Sequence, residues 1–242
     1  MLRRQGLAGS SAIAVLCLVL AAGQASASTI WSADAASGGS PAQVFGNIGT
    51  GNCETNTISA VTDSTRGKVW RYLKPKGSNR CESRGVRVDG EMYRFTNNAT
   101  YYIGWQFKLS STTDNNAVFQ WKSYEDHIQN YPVVLKMIGG RLTMLQRQPD
   151  GVETLPWSQA ISANQWNHVV LGIHTSSELK GGWVELYVNG RQQTFEDGQK
   201  RYACRTWDSY NDVKWGVYGA SGTEVSDHVD DQRIGTAYAD VD

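Results

Sequence analysis

The sequence predicts an all-β protein, a two-sheet sandwich or jelly roll. Short segments that alternate apolar and polar residues recur along it, separated by clusters of Gly, Asn, Asp and Ser. Glycine outnumbers proline 25 to 5, and 9 Trp and 11 Tyr favour pleated, half-buried surfaces. Helical periodicity is absent beyond the N-terminal segment. About ten short strands at this spacing can bury their apolar faces only by packing as two sheets.

The elements follow in order. Residues 1–27 read as a secretory signal: Arg3 and Arg4 precede an apolar run from Ala12 to Ala22, and Ala25-Ser26-Ala27 is a small-x-small cleavage site. The expected mature chain, 28–242, reads as one domain, with no Pro-rich linker, repeat or low-complexity tract. Alternation predicts strands at 68–73, 84–88, 100–109 and 117–122. Segments 132–137 and 141–147 flank Gly139-Gly140 as a hairpin. β-Branched and aromatic runs at 168–174 and 183–188, the second closed by Asn189-Gly190, precede strands at 213–218 and 232–241.

Composition narrows the function classes. Basic and acidic residues are equal at 23 each with no basic block, so binding to nucleic acid by phosphate neutralisation is disfavoured. The apolar run is short for a membrane span, so a secreted protein free of the membrane after signal cleavage is expected, acting as a monomer. Cys17 leaves with the signal. Cys53, Cys81 and Cys204 remain, an odd number that allows one internal disulfide. Spacing leaves the pairing open, with Cys53–Cys81 favoured because it closes the shorter loop. No C-x-x-C spacing points to a metal thiolate site.

Three strand segments carry candidate chemistry. Arg80, Glu82 and Arg84 alternate onto one face, where two guanidiniums held by a carboxylate suit an anionic ligand; a solvated salt-bridge face is the plainer reading. Gln120 and Lys122 share a face, with Phe119 and Trp121 opposite, as on a groove floor or on an ordinary amphipathic strand. Lys214, Gly216 and Tyr218 share another face, and Gly216 would leave room for a ligand against the backbone. Of the four histidines only His127, in the loop 123–131 after Gln120, is a candidate base. Asp227, Asp230 and Asp231 would hold calcium or form a solvated acidic turn. No G-x-S-x-G, H-E-x-x-H or paired-carboxylate E-x-D-x-x-E strand is present, which removes serine, zinc and retaining glycoside hydrolysis.

These motifs resemble the jelly-roll polysaccharide lyases. Arg80-Cys81-Glu82-Ser83-Arg84 looks like the R-x-E-x-R strand of alginate lyases, and Lys214-Trp215-Gly216-Val217-Tyr218 matches their K-x-G-x-Y strand. Gln120-Trp121-Lys122 stands where those enzymes carry Q-x-H, so Lys122 replaces the catalytic histidine. The wider pattern, over residues 65–240, is similar to the heparin-lyase-I-like superfamily, most of all to the glucuronan lyases of polysaccharide lyase family twenty. The resemblance implies a concanavalin-like sandwich with a concave groove. It implies β-elimination on a β-1,4-linked uronic-acid polymer, glucuronan favoured, with alginate, or a non-catalytic carbohydrate-binding module of laminin-G type, as alternatives. Tyr218 would remove the C5 proton and return a proton to O4. Gln120, Arg84 and Arg80 would neutralise the uronate carboxylate. Lys214 or Lys122 would promote the tyrosine's ionisation, and Glu82 would hold the arginines. Lys122, His127 and Trp121 would touch substrate. The chemistry needs no cofactor; a structural calcium away from the cleft is compatible with the resemblance, its ligands unassigned.

Overall fold

A computed structural model describes residues 28–49, 51–53, 58–125 and 128–242. The expected signal, 1–27, and His127 lie outside the described residues. The chain begins with β1 (Thr29–Ala33), β2 (Phe45–Asn47), β3 (Ile58–Asp63), β4 (Gly67–Lys74), β5 (Arg80–Val88) and β6 (Glu91–Met92). It continues with β7 (Thr100–Leu109), β8 (Asn116–Tyr124), β9 (Val133–Ile138), β10 (Arg141–Arg147) and β11 (Glu153–Ala160). It ends with β12 (Asn167–His174), β13 (Gly182–Val188), β14 (Arg191–Gln192), β15 (Tyr202–Cys204), β16 (Tyr210–Gly219) and β17 (Val225–Gly235).

These strands make two antiparallel sheets. One runs β14-β13-β12-β7-β17-β4-β3, with β1 added to β17 and β15 to β13. The other runs β11-β10-β9-β8-β16-β5-β2, with β6 on β5. Aromatic alternates fill the space between them. Trp105 of the first sheet stacks on Phe119 of the second at 4.8 Å, and Trp215 meets both rings edge-on. Trp70, Trp105, Trp121 and Trp215 are all fully buried. Because Phe119, Trp121 and Trp215 turn inward, the residues between them must turn to the outer face of the second sheet.

Two sequence expectations change at the C-terminal end. The last strand is Val225–Gly235 rather than 232–241; Asp240 then accepts the backbone N–H groups of Thr236 and Ala237, both at 2.8 Å, and closes a turn. The aspartates at 227, 230 and 231 do not form a calcium site. Asp230 and Asp231 are both paired with Arg66, and Asp227 shares the core-facing side of β17 with Val225 and Val229. Among the described residues no group of three His, Cys, Asp or Glu side chains is placed to hold a metal ion. Cys53 and Cys81 form the disulfide, while Cys204 is free and burial pushes its thiol up to about 12.

Asp227 has no side-chain partner, and burial pushes its carboxyl well above the usual range against only the Lys108 backbone N–H. The folded chain keeps this proton at pH values where the unfolded chain has lost it, so stability falls as pH rises above 3.8 toward the raised value. Asp227→Asn should therefore raise stability at neutral pH. Urea midpoints across pH check this: the gain should shrink to nothing in acid.

Candidate active site

Pairing across β5, β16 and β8 brings the three motifs together. Lys214 on β16 lies opposite Arg84 on β5 and Gln120 on β8. Tyr218 lies opposite Arg80 and Ala117. Opposite residues on neighbouring strands share a face, so Arg80, Arg84, Gln120, Lys214 and Tyr218 all stand on the outer face. A cleft of about 370 Å³ opens there, lined by Arg80, Gln120, Lys122, Lys214 and Tyr218. Asn115, Asn130, Tyr131, Lys136 and Glu153, which the motifs do not contain, complete its walls.

The cleft floor is a buried ionic contact. The Glu82 carboxylate accepts from Lys214 Nζ at 2.7 Å and from Gln120 Nε2 at 2.5 Å. Glu82 and Lys214 are 2% and 1% exposed. Burial pulls the Lys214 ammonium below the usual lysine value, while Glu82 opposes that pull. The same carboxylate fixes the Gln120 amide, since only its nitrogen can donate. Glu82 was expected to hold the arginines; it holds the lysine and the glutamine instead. On one strand, residues two apart are about 6.7 Å from each other, whereas cross-strand neighbours lie about 5 Å away.

The arginines find other partners. Arg84 Nε donates to the buried Asp212 at 2.9 Å and its guanidinium lies 3.4 Å from the centre of the Tyr124 ring, so it stands beside the cleft rather than lining it. Arg80 lies over the Tyr218 ring at 4.6 Å and donates to the Gly51 carbonyl at 3.0 Å. Tyr218 packs against Ala117, Val134 and Leu145. Lys122 is half-buried and hydrogen-bonded to Asn130. Burial, helped by the charge of Lys214, pulls its ammonium down to about 8.

Two further expectations are corrected. Trp121, expected to touch substrate, is 0% exposed; its indole donates to the Thr206 carbonyl at 2.7 Å and its ring packs on Phe95. Its position opposite Gln120 in the strand alternation sends it into the core. Gly216 leaves no gap for a ligand: its φ is +125°, and a Cβ there would fall 2.3 Å from the Cys81 carbonyl oxygen. Glycine is needed because β5 approaches too closely, where β16 changes register against β8. Asp212 was legible in principle, since it continues the alternation of Lys214, Gly216 and Tyr218. Lys136 was too, as the single charge in the apolar run VVLKMI.

The family model for polysaccharide lyases matches residues 40–240. The chain belongs to the polysaccharide lyase family. An acidic polysaccharide is accordingly its substrate class. Solved structures share the lyase's fold at low identity. An alginate lyase A1-II′ variant superposes with a TM-score of 0.56 at 14% identity, over 76% of this chain and 85% of the other. The alginate lyase AlgAT5 of polysaccharide lyase family 7 gives 0.54 at 14%, with 76% and 85% covered. A family PL-14 alginate lyase from Aplysia kurodai gives 0.50 at 11%, with 75% and 88% covered. A search of curated proteins finds no match to the lyase.

Removing one member of the buried floor pair should cost far more than removing both. Glu82→Gln leaves the Lys214 ammonium buried without its carboxylate, at about 3 kcal/mol or more. Adding Lys214→Met to that variant should recover much of the loss, as read from urea midpoints of the two single variants and the double variant.

Proposed function

We propose that this protein is a secreted lyase that cleaves β-1,4-linked polyuronates by β-elimination, with glucuronan the favoured polymer. One observation carries the reading: Gln120, Lys214 and Tyr218, from motifs far apart in sequence, line one cleft beside Arg80 and Lys122. The Cys53–Cys81 disulfide supports export to an oxidising compartment.

The C5 hydrogen of a uronate is a weak acid, and the neighbouring carboxylate weakens it further by its charge. Lys214 and Gln120 stabilise the charge that develops on that carboxylate as the C5–H bond breaks. Tyr218 takes the C5 proton; the electron pair forms the C4–C5 double bond as the C4–O4 bond breaks; and the Tyr218 hydroxyl returns the proton to O4. In D-glucuronate the hydrogen and the leaving oxygen lie on the same side of the ring, so one residue can serve both steps. Arg80, over the tyrosine ring, holds that ring in place beside the cleft.

Incubation with glucuronan, alginate and an alternating uronate–amino-sugar polymer should yield unsaturated uronate ends, fastest from glucuronan. Absence of such ends from every polyuronate would overturn the reading. Tyr218→Phe should lower kcat on the preferred polymer by about a thousandfold or more with little change in KM. The Lys122 charge sets an alkaline limit on binding: as pH passes about 8 the ammonium loses its proton, attraction for the polyanion falls, and KM rises. Lys122→Arg should carry this limb to higher pH in a KM–pH profile.

A further inference from the structure

Several cations elsewhere in the molecule are paired with carboxylates, while Lys74, Arg87, Arg141 and Lys200 are held by neutral oxygens. Arg66 is paired with Asp230 and Asp231, Lys108 with Asp63, and Arg205 with Asp208. Even Lys214 on the cleft floor and Arg84 beside it are paired, with Glu82 and Asp212. Arg80, Lys122 and Lys136 are of the second kind. None makes an ion pair with a described carboxylate, and all three line the cleft. Each is held by a neutral oxygen: Arg80 by the Gly51 carbonyl, Lys122 by the Asn130 side chain, and Lys136 by Asn115 Oδ1 at 2.7 Å. A neutral acceptor orients a cation without cancelling its charge, so the attraction for an incoming anion remains. Asn115 and Asn130 sit at turns with φ of +59° and +65°, a left-handed conformation that asparagine tolerates.

Register gives the spacing. Lys136 on β9 lies opposite Ala117, Ala117 opposite Tyr218, and Tyr218 opposite Arg80. One row thus crosses four strands, placing the Arg80 and Lys136 backbones about 14 Å apart at ordinary strand spacing. That span exceeds a single pyranose ring. Arg80 and Lys136 lie on either side of the Tyr218 strand, so a chain laid along the row can set the carboxylate of one sugar at Arg80 and that of another at Lys136.

We propose that Lys136, oriented by Asn115, is a specificity-determining residue. It binds the carboxylate of a sugar away from the scission point, so the cleft selects polymers charged on successive sugars over those in which uronates alternate with other sugars. The inference rests on the polyuronate reading of the cleft. Its test separates binding from turnover. Calorimetry on the Tyr218→Phe protein compares a β-1,4-glucuronate pentamer with an alternating uronate–amino-sugar pentamer, with and without Lys136→Ala. Loss of Lys136 should weaken glucuronate binding about tenfold, narrow the preference between the two pentamers and lessen the salt dependence of binding. Lys136→Arg should restore all three, Asn115→Ala should fall between, and Lys180→Ala, an exposed cation outside the cleft, should change nothing. Unchanged glucuronate affinity in Lys136→Ala, or an equal loss for both pentamers, would overturn the inference. Lys136-dependent binding in a protein whose native form releases no unsaturated product would support this site and overturn the catalytic reading alone.

Discussion

The cleft depends on one carboxylate placed beneath it. Glu82 on β5 reaches across to Lys214 on β16 and to Gln120 on β8, so three strands share a single buried contact. Two charges withdrawn from water are tolerated only where each satisfies the other and the remaining hydrogen-bond capacity is used, and the Gln120 amide uses part of it. The consequence is geometric as much as energetic. The ammonium and the amide cannot swing into the core or out to solvent, and a sugar carboxylate entering the cleft meets groups that are already in place.

The fold was legible because aromatic residues at alternate positions leave little choice of face. Trp105 and Phe107 on β7, Phe119 and Trp121 on β8, and Trp215 on β16 all had to be covered, and only a second sheet could cover them. β17 was partly hidden because Ser226, Asp227, His228 and Asp230 interleave with its valines and read as an acidic turn. Asp227 is the deeper exception, since a buried, side-chain-unpartnered carboxyl defeats any pattern based on hydropathy.

The candidate site was legible to the extent that its residues repeat at every second position. Arg80, Gln120, Lys122, Lys214 and Tyr218 could be assigned to faces from local sequence, and the faces proved to be one face. Their partners could not be assigned this way. Whether Glu82 meets an arginine two places along its own strand or a lysine across the ladder is decided by register, which no single segment encodes. Asn115, Asn130 and Glu153 entered the cleft through turns and through strands beyond β8, and no motif spans that distance. Trp121 shows the opposite failure: alternation alone assigns it to the core, and its aromatic character was no reason to set that aside.

The disulfide lies between two working residues. Cys81 separates Arg80 from Glu82 on β5, and its bond to Cys53 fastens the stretch whose Gly51 carbonyl receives the Arg80 guanidinium and whose Asn52 carbonyl receives the Glu82 N–H at 2.9 Å. The covalent staple thus serves the rim of the trough as much as the bulk of the sandwich. A thiol reductant would therefore be felt at the mouth of the trough as well as in the stability of the sandwich, because the bond it cuts belongs to both.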